Sequence, residues 1–169
     1  MKYAAILFTL LFALTTPPVA ATPDAPEEAL PEYVDTAGVV TEITDDTLLL
    51  DTETHGQVLV HLTDETLYEG ETPAVGAYVH VLNNGAMTMS IPPQITALRV
   101  GCYAYTGTVS EIDEGYFLLA TDNDVYRVNA EDDKLAALTV GDKVTVYSNG
   151  MMTMSIPAQV YGELIVSAD

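Results

Sequence analysis

The sequence predicts an all-β fold built as two small tandem units, on three observations. Apolar residues alternate over short runs, Gly, Pro and Asn-Gly steps punctuate those runs, and the whole pattern occurs twice. Alternation with a period of two marks a strand with one face buried, and self-similarity at a fixed spacing marks a unit used more than once.

The repeat defines the units. Gly38-Val39-Val40-Thr41-Glu42-Ile43 returns as Gly107-Thr108-Val109-Ser110-Glu111-Ile112 at an offset of 69, and Leu49-Leu50 returns as Leu118-Leu119 at the same offset. The ends of the copies match at an offset of 65, where Gly76 to Ile95 against Gly141 to Val160 gives 12 identities in 20 positions. The second copy is therefore shorter by four residues, lost between Gln57 and Thr72, where a loop can change length without disturbing flanking strands. The units are residues 37–100 and 101–169, each near the lower size limit for independent folding.

Within a unit the elements follow in order. Val40 to Ile43 and Leu48 to Asp51 make a hairpin around Thr44-Asp45-Asp46-Thr47, matched by Asp113-Glu114-Gly115 in the second copy. Val58 to Leu62, matched by Val125 to Val128, is a third strand, and a short turn leads to a fourth at Tyr78 to Leu82 or Val144 to Tyr147. Asn84-Gly85 and Asn149-Gly150 then signal a tight hairpin. A fifth strand is expected from Met87 or Met152, interrupted at Ile91-Pro92 or Ile156-Pro157 and resumed at Ile95 to Val100 or Val160 to Val166. Five short strands with a break between the third and fourth describe a five-stranded OB-like Greek-key barrel, with a small β-sandwich as the alternative. The join Gly101 to Thr106 is too short for a flexible linker, so the two units are expected to be fixed to one another.

Ahead of the repeats, Lys2, an apolar run from Tyr3 to Leu14 and small residues up to Ala21 have the form of a signal peptide, residues 1–21, cleaved after Ala21. The run is short for a bilayer span, and no later stretch is long and apolar enough for one. Residues 22–36, with Pro23, Pro26, Pro31 and several acids, are expected to be a disordered leader. Loss of residues 1–21 removes Lys2 and no acid, leaving four bases against 25 acids. So anionic a chain repels nucleic acid and anionic lipid, and favours cations and basic partners, so nucleic acid is excluded as a partner on charge. Cys102 is the sole cysteine, which rules out an internal disulfide and leaves a buried small hydrophobe, the favoured reading, or a thiol able to link two chains.

The block that closes each copy carries the candidate chemistry. Met87-Thr88-Met89-Ser90-Ile91-Pro92 returns as Met152-Thr153-Met154-Ser155-Ile156-Pro157. On a strand, the two methionines of a pair share one face. There they either fill the core, as Met commonly does, or present two soft thioethers suited to Cu(I) or Ag(I), with His80 as a further ligand in the first copy. Pro inside a strand stops ladder pairing, so Ser90, Pro92, Gln94, Ser155, Pro157 and Gln159 form either a possible contact surface or a protected edge. His61 and His80 lie on strands and read first as half-exposed residues. The acid clusters at Asp45-Asp46, Asp122-Asn123-Asp124 and Glu131-Asp132-Asp133 lack EF-hand spacing and read as solvated turns. Serine-hydrolase, zinc-protease, dithiol and P-loop motifs are missing, so catalysis is not expected.

With these features the chain resembles the periplasmic copper and silver efflux chaperones, exported five-stranded OB barrels that bind Cu(I) through a Met-Thr-Met-type segment, a His and a Trp. It departs from them in having no Trp, in placing Met-x-Met after the Gly-Asp-Lys-Val strand, and in confining all His to the first copy. What the resemblance implies is Met87 and Met89, and less directly Met152 and Met154, as ligands; Thr145 stands where His80 would be in the second copy. The layout Gly-x-Val-x-x-Ile followed by Val-Gly-Asp-x-Val-x-Val is also similar to uncharacterised OB-like domains repeated in secreted bacterial proteins, which implies fold and export only. The sequence thus points to a secreted or cell-envelope, extracytoplasmic, non-catalytic binding protein with no cofactor and a protein or cell-surface partner. The alternative is an extracytoplasmic Cu(I) or Ag(I) binder; the oligomeric state is open.

Overall fold

In the computed structural model, which describes residues 33–168, the first copy opens with a three-strand meander. β1 (Val34–Ile43), β2 (Thr47–Thr52) and β3 (Gly56–His61) pair antiparallel in sequence order. The alternation of Val40, Leu48, Leu50, Val58 and Val60 puts all five in one core, each at most 2 % exposed. β1 starts inside the segment expected to be leader: Asp35 and Thr36 pair with Leu82 and Val81 of the strand below. A buried hydrogen bond from Asn83 Nδ2 to Thr36 Oγ1, 3.0 Å, anchors that start, and the composition of the leader does not show it. The expected signal peptide and the rest of the leader lie outside the described residues.

β4 (Leu67–Gly70) and β5 (Tyr78–Asn83) follow, and β5 runs antiparallel to β1. β6 (Gln94–Thr96) then pairs parallel to β3, and β7 (Arg99–Asp113) begins antiparallel to β5. β6 and the start of β7 therefore act as one interrupted closing strand that joins β3 to β5. The ring β1-β2-β3-β6/β7-β5-β1 closes, and closure leaves the core side chains facing one another with no edge in the ring.

The second copy repeats the ring. It comprises the rest of β7, β8 (Tyr116–Ala120), β9 (Val125–Asn129), a short helix α1 (Asp132–Ala136), β10 (Lys143–Ser148), β11 (Ala158–Tyr161) and β12 (Leu164–Ser167). β7 pairs with β8 and β10, β8 with β9, β11 runs parallel to β9, and β12 runs antiparallel to β10. Both opening strands carry a bulge at equivalent positions, Val40/Glu42 and Val109/Glu111, which bends a strand that has to pair on both sides of a ring. Phe117, Leu119, Val128 and Val146 make the second core, all 0 % exposed. The fold is all-β and barrel-like.

Three features add to the sequence reading, the third as a departure from it. β7 runs unbroken across residue 100, so the presumed join Gly101 to Thr106 is strand. Tyr147 of the second copy packs against the first core. The connection read as a plain turn holds β4 in the first copy and α1 in the second. β4 pairs parallel with β7, and its four residues are all exposed, so no apolar alternation announces it. Gly70 has φ 78° and a Cβ there would run into the Cys102 carbonyl, so glycine lets β4 end close against β7. Cys102 is buried, and burial pushes its thiol pKa up.

Glu69 ties β4 down. Tyr103 donates its hydroxyl proton to Glu69 Oε2 at 2.5 Å, and Arg99 Nη1 donates to Oε1 at 3.2 Å. The Tyr103 hydrogen bond first, and Arg99 after it, hold the Glu69 carboxyl below its usual range. A depressed carboxyl contributes stability above its unfolded pKa and loses it as pH falls through the folded one. In a carboxyl NMR titration, Tyr103→Phe will raise the Glu69 midpoint toward the ordinary glutamate value; an unchanged midpoint would show that the bond does not form in solution.

Candidate functional loops

The repeated Met-Thr-Met-Ser-Ile-Pro block forms an exposed loop in each copy, not a fifth strand. After β5, Asn83 Oδ1 accepts the Gly85 N–H (2.8 Å), and Gly85 at φ 76° turns the chain as an Asn-Gly step should. No ladder follows, because side-chain hydroxyls take the backbone's partners. Thr88 N–H donates to the Gln94 carbonyl (3.0 Å), and Gln94 N–H donates back to Thr88 Oγ1 (2.9 Å), which closes the loop at its base. Ser90 Oγ donates to the Pro92 carbonyl (2.7 Å), so its one proton is used and the 2.7 Å contact with Thr88 is a bond that Thr88 donates. The second loop has the same four bonds on Thr153, Ser155, Pro157 and Gln159, at 3.0, 2.9, 2.8 and 2.7 Å. The peptide bonds Ile91–Pro92 and Ile156–Pro157 are cis.

This network explains why Thr and Ser are identical in both copies: they are the pins of the loop. It also fixes what the loop shows to solvent. Met89 and Ile91 are 102 % and 100 % exposed, Met154 and Ile156 105 % and 101 %. Met87 is half-buried against the first core, and Met152 is 45 % exposed. Beside the second loop, Ile156, Pro157 and Met152 line a groove of about 480 Å³ with Leu118, Val125 and Tyr126.

The placement of the predicted residues follows. Met87 and Met89 were expected on one face; Met87 is half-buried against the first core and Met89 is fully exposed, so the two do not share a core face. His80 bonds Asp35 through Nδ1 (2.7 Å) and lines a cleft with Arg99, Tyr103, Asn149 and Met151. Ser90, Ser155, Gln94 and Gln159 spend their hydrogen bonds inside the loops, and Gln94 Oε1 also pairs with His61 Nε2 at 2.8 Å. Pro157 lines the groove, and Pro92 is half-buried. Ile91 and Ile156 were not among the predicted contact residues. The signal for them is in the charge pattern: no acid or base occurs from Ala86 to Leu98 or from Gly150 to Gly162, in a chain with 25 acids.

Among the described residues, no helix is long and apolar enough to cross a membrane. No family model and no curated protein matches the chain. Among solved structures it is similar to Drosophila Unr CSD456, at 13% identity over 80% of this chain and 62% of that one, with a TM-score of 0.27. It is also similar to a multidomain protein with nucleic acid binding domains from Streptococcus pneumoniae, at 15% identity over 83% of this chain and 46% of that one, with a TM-score of 0.25. The chain thus spans less than two thirds of either structure's length. The exclusion of nucleic acid drawn from net charge does not stand, since total charge does not report the field over any one face of a barrel.

Proposed function

We propose that this is an exported, non-catalytic interaction protein that engages a protein partner through the tips of its two Met-Thr-Met-Ser-Ile-Pro loops. The observation that carries the reading is the full exposure of Met89, Ile91, Met154 and Ile156 on loops of identical internal bonding. Burying a Met or Ile side chain is worth about 1.5–3 kcal/mol, and loops already held in shape lose little entropy when they dock. Apolar anchors on a rigid frame, set in a charge-free stretch of an acidic surface, are how a protein concentrates binding energy in a few residues. The groove beside Ile156 offers a place for one apolar side chain of that partner.

Site-specific photo-crosslinking in the source cells tests this. A diazirine residue at position 89 and one at position 154 should each yield an adduct with the same protein, while the exposed control positions Val75 and Val140 should not. A variant with Met89→Ser, Ile91→Ser, Met154→Ser and Ile156→Ser should capture that protein at least about tenfold less, since loss of anchor residues costs upward of 1.4 kcal/mol. Equal adducts at the control positions, adducts with lipid alone, or undiminished capture by the variant would overturn the reading.

A further inference from the structure

The two loops carry oxidisable sulfur at their tips, and the fold sets that sulfur apart from the other sulfur among the described residues. Met89 and Met154 expose the whole of their side chains, Met151 is 74 % and Met152 45 % exposed, and Met87 is half-buried against the first core. Cys102 is buried, and burial raises its pKa, so it is held as the thiol and away from the thiolate that oxidants attack. A two-electron oxidant arriving from solvent therefore meets the same residue of each repeat first.

The bonds that hold the loops decide what oxidation does there. Thr88 donates its hydroxyl proton to Ser90, Ser90 donates to the Pro92 carbonyl, and Thr88 and Gln94 close the base with two more bonds. No sulfur takes part in these four bonds, nor in the four on Thr153, Ser155, Pro157 and Gln159. Each hydroxyl has spent its single proton, so a sulfoxide oxygen at the tip finds no loop hydroxyl to bind and stays in water. The frame keeps its shape while the tip changes from a flexible apolar thioether to a polar, chiral sulfoxide. Oxidation of Met87, packed on the first core, would act on folding instead.

We propose that Met89 and Met154 are sites of reversible sulfoxidation, which turns the two tips from apolar anchors into polar groups and releases the partner. The proposal rests on docking of these tips to a protein. In the forward step the thioether sulfur attacks one oxygen of a peroxide: the S–O bond forms, the O–O bond breaks, and the second oxygen takes up the proton of the first and leaves as water. Sulfur loses two electrons and the peroxide gains them. A thiol-dependent sulfoxide reductase reverses the step, two thiols becoming a disulfide while the oxygen departs as water. The fitting oxidant is uncharged, because an anionic one is repelled by a net charge of −20, whereas the loops themselves carry no charge from Ala86 to Leu98 or from Gly150 to Gly162. Docking weakens because a sulfoxide must give up its water to be buried where a thioether gave up none.

Hydrogen peroxide added to the full chain tests it. Peptide mass spectrometry should find Met89 and Met154 converted at least about tenfold faster than Met87, with the urea midpoint unmoved once those two are oxidised. The oxidised protein, freed of peroxide and carrying a diazirine residue at position 91 or 156, should capture from an extract of the source cells at least about tenfold less of the protein that positions 89 and 154 crosslink. Treatment with methionine sulfoxide reductases should restore capture. Met89→Leu with Met154→Leu keeps the tips apolar and removes their sulfur, so this variant should capture equally before and after peroxide. Undiminished capture by the oxidised wild type would overturn the proposal and leave docking standing, as would an equal loss in the double-leucine variant or oxidation of Met87 as fast as that of Met89. Absence of capture by the untreated protein would overturn the docking reading, and the proposal with it.

Discussion

Phe117→Ala will lower the unfolding free energy by about 3–5 kcal/mol, the usual cost of deleting a fully buried phenyl ring. Phe117 is 0 % exposed in a core shared with Leu119, Val128 and Val146, and it heads the fully buried side chains in volume. Closed rings of strands collapse poorly around a void, since moving one wall breaks ladders on both of its sides, so the upper part of that range is expected. Against a typical total of about 5–15 kcal/mol the loss is large. Urea unfolding followed by tyrosine fluorescence measures it as a fall in midpoint at constant slope. A cost near 1 kcal/mol would mean that the second ring does not close around Phe117.

Tyr105→Pro will cost about 3 kcal/mol or more, and it will loosen both copies together. The bond from Val109 N–H to the Asp142 carbonyl sets the ladder so that Tyr105 and Val146 exchange hydrogen bonds. Proline removes that donor and leaves a buried carbonyl without it, at about 1–3 kcal/mol. The substitution also removes a ring packed at 4.9 Å on Tyr126, worth about 0.5–1.5 kcal/mol beyond its burial. The coupling arises because residues 99–101 of β7 close the first ring while its remainder opens the second, and Tyr147 of β10 packs on the first core. Hydrogen exchange should show Val58 and Val60 losing protection along with Val128. Wild-type protection in the first copy of the variant would show that β7 does not join the two units energetically.

Much of the barrel was legible in residue pattern. Val40, Leu48, Leu50, Val58 and Val60 alternate at the period of a half-buried strand, and the structure buries each of them. The repeat placed both copies of the strands that match β1, β2, β3 and β5, and the Asn-Gly steps do turn the chain. β4 and α1 escaped for opposite reasons. β4 is four exposed residues held by Glu69, and the partners of Glu69 lie 30 and 34 positions away. α1 is a single short helix with two acids in its first turn, which reads as an acidic loop.

The closing block was read as a strand, and the structure makes it a loop. Met87-Thr88-Met89-Ser90-Ile91 alternates as a strand would, and strand geometry would put the methionines and the isoleucine on one buried face. Alternation predicts a strand only where a neighbour supplies the ladder. Here the hydroxyls of Thr88 and Ser90 bind the backbone and carbonyls of their own loop, so the segment leaves the sheet and turns Met89 and Ile91 outward.

By itself, then, the sequence determined what is local and periodic: strand segments, turn positions, duplication, and a closing block shared by both copies. The tertiary structure alone decided how the interrupted strand of β6 and β7 closes the first ring, that β7 serves both rings, and which side of each closing block meets water. Those outcomes depend on pairings between residues far apart in the chain, and the same alternating pattern serves equally well for a strand, an edge or a loop until its hydrogen-bond partners are known.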